Sequence, residues 1–180
     1  MKYFPILILL VLSSQAKAID FQLEVGIHKG GEVVTGATYT TGFVKTIDAG
    51  DGTSYAAGIV FNFDKFATRF KYGTKKADVE GINGALNWER NTTDALLMRK
   101  IGDDVQIGVG LTYHSNVEIR GTQVLDGSTK FDNALGALAE IDYFWDPKSY
   151  IGLSFTSIEY EINNTSFDGS SIGVVIGGIF

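Results

Sequence analysis

Apolar and polar residues alternate along most of this chain, and the clearest stretch is Val105 to Arg120, VQIGVGLTYHSNVEIR. One parity carries Val105, Ile107, Val109, Leu111, Tyr113, Ser115, Val117 and Ile119; the other carries Gln106, Gly108, Gly110, Thr112, His114, Asn116, Glu118 and Arg120. A strand sends the two sets to opposite faces, whereas a helix would scatter both around its circumference. The run is also far longer than the roughly five or six residues usual for strands in soluble sheets.

The same alternation predicts strands over Asp20–Gly30, Thr53–Phe63, Phe66–Lys75, Thr92–Ile101, Phe131–Trp145, Tyr150–Ile162 and Ser171–Phe180. Thr92–Ile101 is the least regular, because ALLM does not alternate. At Ile158 and Tyr160 the apolar parity slips, which predicts a bulge or a rim clear of the apolar belt. Connections alternate in length: Asp64-Lys65, Gly102–Asp104 and Asp146–Ser149 are tight, while Gly31–Gly52, Lys76–Asn91, Gly121–Lys130 and Asn163–Ser170 are longer and polar. Pro147 falls in a turn, so no predicted strand lacks a ladder donor. An even set of long strands with short turns at one end and long loops at the other predicts an all-β, eight-stranded antiparallel up-and-down transmembrane barrel, its short turns on the periplasmic side.

Alternation does not say which face points outward, since a soluble lipocalin-like barrel hides its apolar face and a membrane barrel shows it to lipid. Two features favour the membrane form. Glu24, Arg69, Lys71, His114, Glu118, Arg120, Glu140 and Asp142 share the other face with many glycines, an arrangement suited to a polar network across a narrow lumen. Phe21, Phe61, Phe63, Phe66, Tyr143, Trp145, Tyr150 and Phe180 gather beside the short turns, as an interfacial girdle would, with Tyr72, Tyr113 and Tyr160 as a thinner second set.

Composition changes the picture at the N-terminus. Lys2, the apolar run FPILILLVL and the small residues Ala16 and Ala18 form the three parts of a cleavable signal peptide, residues 1–18, ahead of a barrel domain over 19–180. The apolar run is about half of what a membrane-spanning helix needs. The chain carries 15 basic against 21 acidic residues, and the leader removes two of the basic ones, Lys2 and Lys17. Such an acidic balance argues against nucleic acid as a partner. With no Cys, neither disulfides nor thiolate metal sites are available to an exported protein.

The C-terminal strand, SIGVVIGGIF, ends on an aromatic, and closure requires it to pair with the first strand, since an open edge in hydrocarbon leaves backbone groups unsatisfied. With Ile172, Val174, Ile176 and Phe180 alternating, the chain resembles the small outer-membrane barrels of the OmpA/OmpX type; Gly178 departs from that pattern. YIGLSFTSIEYEI followed by DGSSIGVVIGGIF is also similar to the closing hairpin of porin-like outer-membrane domains. The resemblance implies a Gram-negative outer-membrane location, Phe180 as the signal read by the insertion machinery, and lipid and lipopolysaccharide as surroundings. A monomer with no cofactor and no metal is expected, with loops free to meet an extracellular ligand.

Candidate chemistry is thin. YHSN, Tyr113 to Asn116, is similar to the His-x-Ser-Asn motif of lipid A deacylases, but adjacent His114 and Ser115 point to opposite faces of a strand, so the histidine cannot activate that serine. His28 and His114, the only histidines, lack tight ligand spacing and read as lumen hydrogen-bonding groups. Glu140 and Asp142 share a face and read as partners of Arg69, Lys71 or Arg120 before an acid–base pair. The chain is therefore expected to be non-catalytic, structural or surface-interacting. Alternatives are a narrow pore, opened by Gly108, Gly110, Gly136, Gly152, Gly173 and Gly177, a lipid A-modifying enzyme, and a soluble binding barrel.

Overall fold

The computed structural model describes residues 16–38, 44–81, 84–122 and 127–180. Most of the expected leader, residues 1–15, lies outside the described residues. Thirteen strands follow in order: β1 (Ala18–Lys29), β2 (Val33–Thr38), β3 (Val44–Asp48), β4 (Gly52–Asn62), β5 (Phe66–Gly81), β6 (Gly84–Ile101), β7 (Val105–Gly121), β8 (Gly127–Lys130), β9 (Ala134–Asp146), β10 (Ser149–Ser157), β11 (Glu159–Ile162), β12 (Thr165–Asp168) and β13 (Ser171–Ile179). Eight of them, β1, β4, β5, β6, β7, β9, β10 and β13, pair antiparallel with their neighbours into one closed wall. The first and last strands meet over Gln22–Lys29 and Ile172–Ile179, and backbone bonds between Phe21 and Phe180 extend the seam to the chain's final residue.

The wall is inside out relative to a soluble barrel. Ile107, Val109 and Leu111 are 41%, 65% and 57% exposed, whereas Arg69 and Glu140 are fully buried. Leu23, Val25 and Ile27 on β1, Leu153 and Phe155 on β10, and Val174 and Ile176 on β13 continue the same apolar belt. A continuous belt of this size would be an aggregation surface in water and is what hydrocarbon requires. Replacing Val109 with arginine is accordingly expected to cost about 2–4 kcal/mol, read from urea unfolding in lipid vesicles. A loss under about 0.5 kcal/mol would place that face in water.

Phe21, Phe66, Tyr143, Trp145 and Phe180 are exposed beside the short turns; Phe63 is half-buried there. Phe61 is only 3% exposed, its ring edge-on to Phe70 at 6.1 Å. Tyr150 and Tyr160 correct the aromatic expectation. Both share the parity of Gly152 and Ser154, point inward and are fully buried. In the tight turn after β9, Asp146 Oδ1 accepts the backbone N–H groups of Lys148 (2.8 Å) and Ser149 (3.0 Å), which holds its carboxyl below the usual carboxylate range.

The long connections are more ordered than polarity suggests. Paired strands extend through most of the segment read as a loop over Lys76–Asn91, β5 running to Gly81 and β6 starting at Gly84. Hairpins β2–β3 and β11–β12 occupy two other loops, and β8 folds back on β7. The slip at Ile158 and Tyr160 is no bulge: these side chains turn into an apolar cluster at the outer mouth.

A real bulge lies elsewhere. On β7, Asn116 takes a left-handed conformation (φ 51°), and Asn116 and Val117 together stand opposite the single residue Arg90 of β6. One extra residue reverses every later side chain. Val117 therefore points inward and is buried, while Glu118 and Arg120, expected in the lumen, lie outside.

Candidate functional site

The lumen is built in layers. Val60, Ala67, Leu96, Met98 and Leu138 form an apolar layer toward the short-turn end, and Phe144, Tyr150 and Val175 pack nearby. Above it lies a charged layer. Arg69 Nη1 donates to Glu140 Oε1 (3.1 Å) and Asp142 Oδ2 (2.5 Å), and Nη2 donates to Gln106 Oε1 (2.9 Å). Lys71 Nζ donates to Glu24 Oε1 and Glu140 Oε2, both at 2.8 Å. The Tyr150 hydroxyl donates to Glu24 Oε2 (2.6 Å), and the Arg69 guanidinium stacks 5.1 Å from the Tyr150 ring centroid. Gln22 Nε2 bonds both Glu24 and Tyr150. Charges so far from water are tolerable because they are paired and hydrogen-bonded.

Higher in the lumen, Thr112 donates to Asp94 (2.6 Å), Lys75 donates to Ser171 (3.2 Å), and His28 Nε2 meets Ser54 Oγ at 2.9 Å. His114 joins Tyr160 through Nδ1 at 2.5 Å rather than the carboxylate layer below. Among the described residues no group of histidines and carboxylates has the arrangement of a metal site. The space between these groups is a cavity of about 30 Å³, room for one or two waters.

An apolar cap closes the outer mouth. Trp88, Val79 and Val117 from the wall, with Ile158 and Tyr160 from the segment between β10 and β12, pack with Ile47 and Ala49, which β3 and its following turn fold over the opening. Trp88 Nε1 donates to the Ala49 carbonyl (3.0 Å), and Arg90 donates to the Asp51 carbonyl (2.8 Å). The turn fits because Gly50 has no side chain: a Cβ there would strike the carbonyls of Gly30 and Ser170.

Partner side chains fill the space beside three of the lumen glycines. A Cβ at Gly177 would land on the Tyr150 ring, at Gly173 on the His28 ring and at Gly108 on the Met98 sulfur. Each gap is already occupied by a partner side chain. Outside the wall, Arg120 donates to Glu118 Oε2 at 2.7 Å, and this hydrogen bond holds the Glu118 carboxyl below the usual carboxylate range.

No protein-family model matches the chain, and no curated protein matches it in sequence. Solved structures do match in shape. Ail, the attachment invasion locus protein of Yersinia pestis, solved with the heparin analogue sucrose octasulfate, superposes with a TM-score of 0.58 at 9% identity, covering 90% of this chain and 97% of that one. Neisserial surface protein A superposes with a TM-score of 0.50 at 12% identity, covering 91% and 96%. At these identities the likeness speaks to architecture, and with the apolar belt and the closed seam the chain has the fold of the small eight-stranded outer-membrane β-barrels.

Proposed function

We propose that this outer-membrane barrel is non-catalytic and non-conducting, and that it works through its extracellular end. The observation that carries the reading is the filled lumen: among the described residues, a charged layer lies below an aromatic cap with a water-sized cavity between them. Ser115 and His114 lie on opposite faces of β7, and His114 is engaged by Tyr160, so the YHSN stretch holds no activated serine; the His28–Ser54 pair faces the filled lumen and not the lipid. Paired strands continue above the belt at the outer end, in the β2–β3 and β11–β12 hairpins, in β8 against β7 and in the tall β5–β6–β7 wall.

Charge constrains the partner. Glu32, Asp78, Glu80, Glu159, Glu161 and Asp168 are exposed at this end, with fewer cations such as Lys45, Lys76 and Lys130. A dense polyanion of the kind held by Ail in its complex would meet net repulsion here, which favours a neutral, weakly charged or basic partner. The test is a planar-bilayer recording on refolded protein together with protease digestion of intact cells. Background conductance and external cleavage within the hairpins are expected; discrete channel openings, or hairpins beyond the reach of protease, would refute the reading.

A further inference from the structure

We propose that the recess beside the β7 bulge is a binding site for a saccharide bearing one carboxylate; the inference rests on the extracellular end being the working surface. β7 changes partner here: up to His114 it pairs with β9, and from Glu118 it pairs with β8. Between the two ladders the bulge turns Val117 into the cap and leaves a recess of about 480 Å³ on the outside. That volume lies in the range of sites for small ligands, roughly 300–1,000 Å³. Phe131 backs it, fixed by its N–H bond to the Val117 carbonyl (2.9 Å) and by its edge contact with Trp88, so the recess has a firm wall.

The lining chemistry suits hydroxyls. Asn91, Asn116 and Asn133 present three amides, none with a side-chain hydrogen bond among the described residues. Each amide both donates and accepts, as does each sugar hydroxyl, so neighbouring hydroxyls on a ring can be met in pairs. Glu118 and Arg120 add an acceptor and spare donors already held by their own ion pair. Lys130 is the lining cation with no carboxylate within ion-pair distance among the described residues, and it supplies the counter-charge for a single acidic substituent. The recess sits just past Tyr113, the last exposed aromatic on β7, and so at the headgroup level of the bilayer. Its ligand could come from lipopolysaccharide in the same leaflet or from a glycan on a facing surface; the chemistry is shared.

The test is calorimetric titration of the protein in phospholipid nanodiscs with two probes: a deacylated core oligosaccharide containing 3-deoxyoctulosonate, and sialyllactose. Saturable binding of at least one is expected, the tighter probe naming the source, with lactose about tenfold weaker than sialyllactose if the facing-surface arm is positive. Asn116→Gly, which keeps the left-handed backbone, combined with Asn133→Ala should weaken binding about tenfold. Lys130→Met should remove the preference for the acidic sugar. Heat-modifiable mobility on gels confirms that each variant is folded. No saturable binding of either probe, or unchanged affinity in the doubly substituted variant, would overturn the site; the protease result stands apart from both outcomes and continues to judge the surface reading alone.

Discussion

Glu140→Leu is expected to destabilise the barrel by about 3–5 kcal/mol, more than a leucine in place of a surface carboxylate could explain. Glu140 is fully buried and accepts from both Arg69 and Lys71. Removing it leaves Lys71 with Glu24 and Arg69 with Asp142, so the charges still balance, but each cation loses one of its two carboxylate acceptors, and the bridge between the two pairs is gone in a site with almost no water. The penalty comes from the buried Arg69 and Lys71 donors left short of an acceptor, not from the worth of the lost bonds. A companion variant separates the two: Glu140→Leu with Lys71→Met and Glu24→Leu replaces part of the network by apolar groups of similar size and should recover much of the loss. Urea unfolding in vesicles, followed by tryptophan emission and by gel mobility, reads both. A single-variant cost under about 1 kcal/mol would show that the layer is hydrated and that its pairs count for no more than exposed ones.

Trp88→Ala should cost about 3–5 kcal/mol by opening a hole in the cap. The indole is completely buried, lies edge-on to Phe131 (5.1 Å) and Tyr160 (5.5 Å), and carries the Arg90 guanidinium 5.2 Å from its ring. Its N–H is also the bond that ties Ala49, and with it the β2–β3 hairpin, to the wall. Faster protease cleavage near Ala49 should accompany the loss of stability. Conductance should stay at background even so, because the charged layer beneath still fills the lumen. A variant that conducts would mean the cap alone seals the barrel.

How much of this could be read from the chain differs by feature. Strict alternation in Val105–Ser115 and Ile172–Ile176 located the wall and its outward face, because a strand has only two faces and ionised groups cannot occupy the one in lipid. Tyr150 was legible too: it shares parity with Gly152 and Ser154, opposite Ile151, Leu153 and Phe155, and the nearness of a turn drew it into the girdle instead. Val117, Glu118 and Arg120 were misleading for a different reason. The apolar parity of Val109 and Leu111 resumes at Val117 and Ile119 after the single polar Ser115, so the local hints of the reversal are Ser115 and the next residue, Asn116, a type that tolerates positive φ. The cap was hidden altogether, since Ile47 and Ala49 sit in what reads as a polar loop and are buried only by partners distant in sequence. The glycines could not be read as filled or empty before the register placed Tyr150 against Gly177 and His28 against Gly173.

The charged layer also bears on how such a wall can enter a bilayer. Its members come from β1 (Glu24), β5 (Arg69, Lys71) and β9 (Glu140, Asp142), and none of these strands neighbours another in the wall. No single hairpin can neutralise itself, so a half-threaded intermediate would drag naked ions through oil. Integration has to be concerted: the sheet rolls up and cancels its own charge as it goes in, and a stalled portion is expelled rather than stranded.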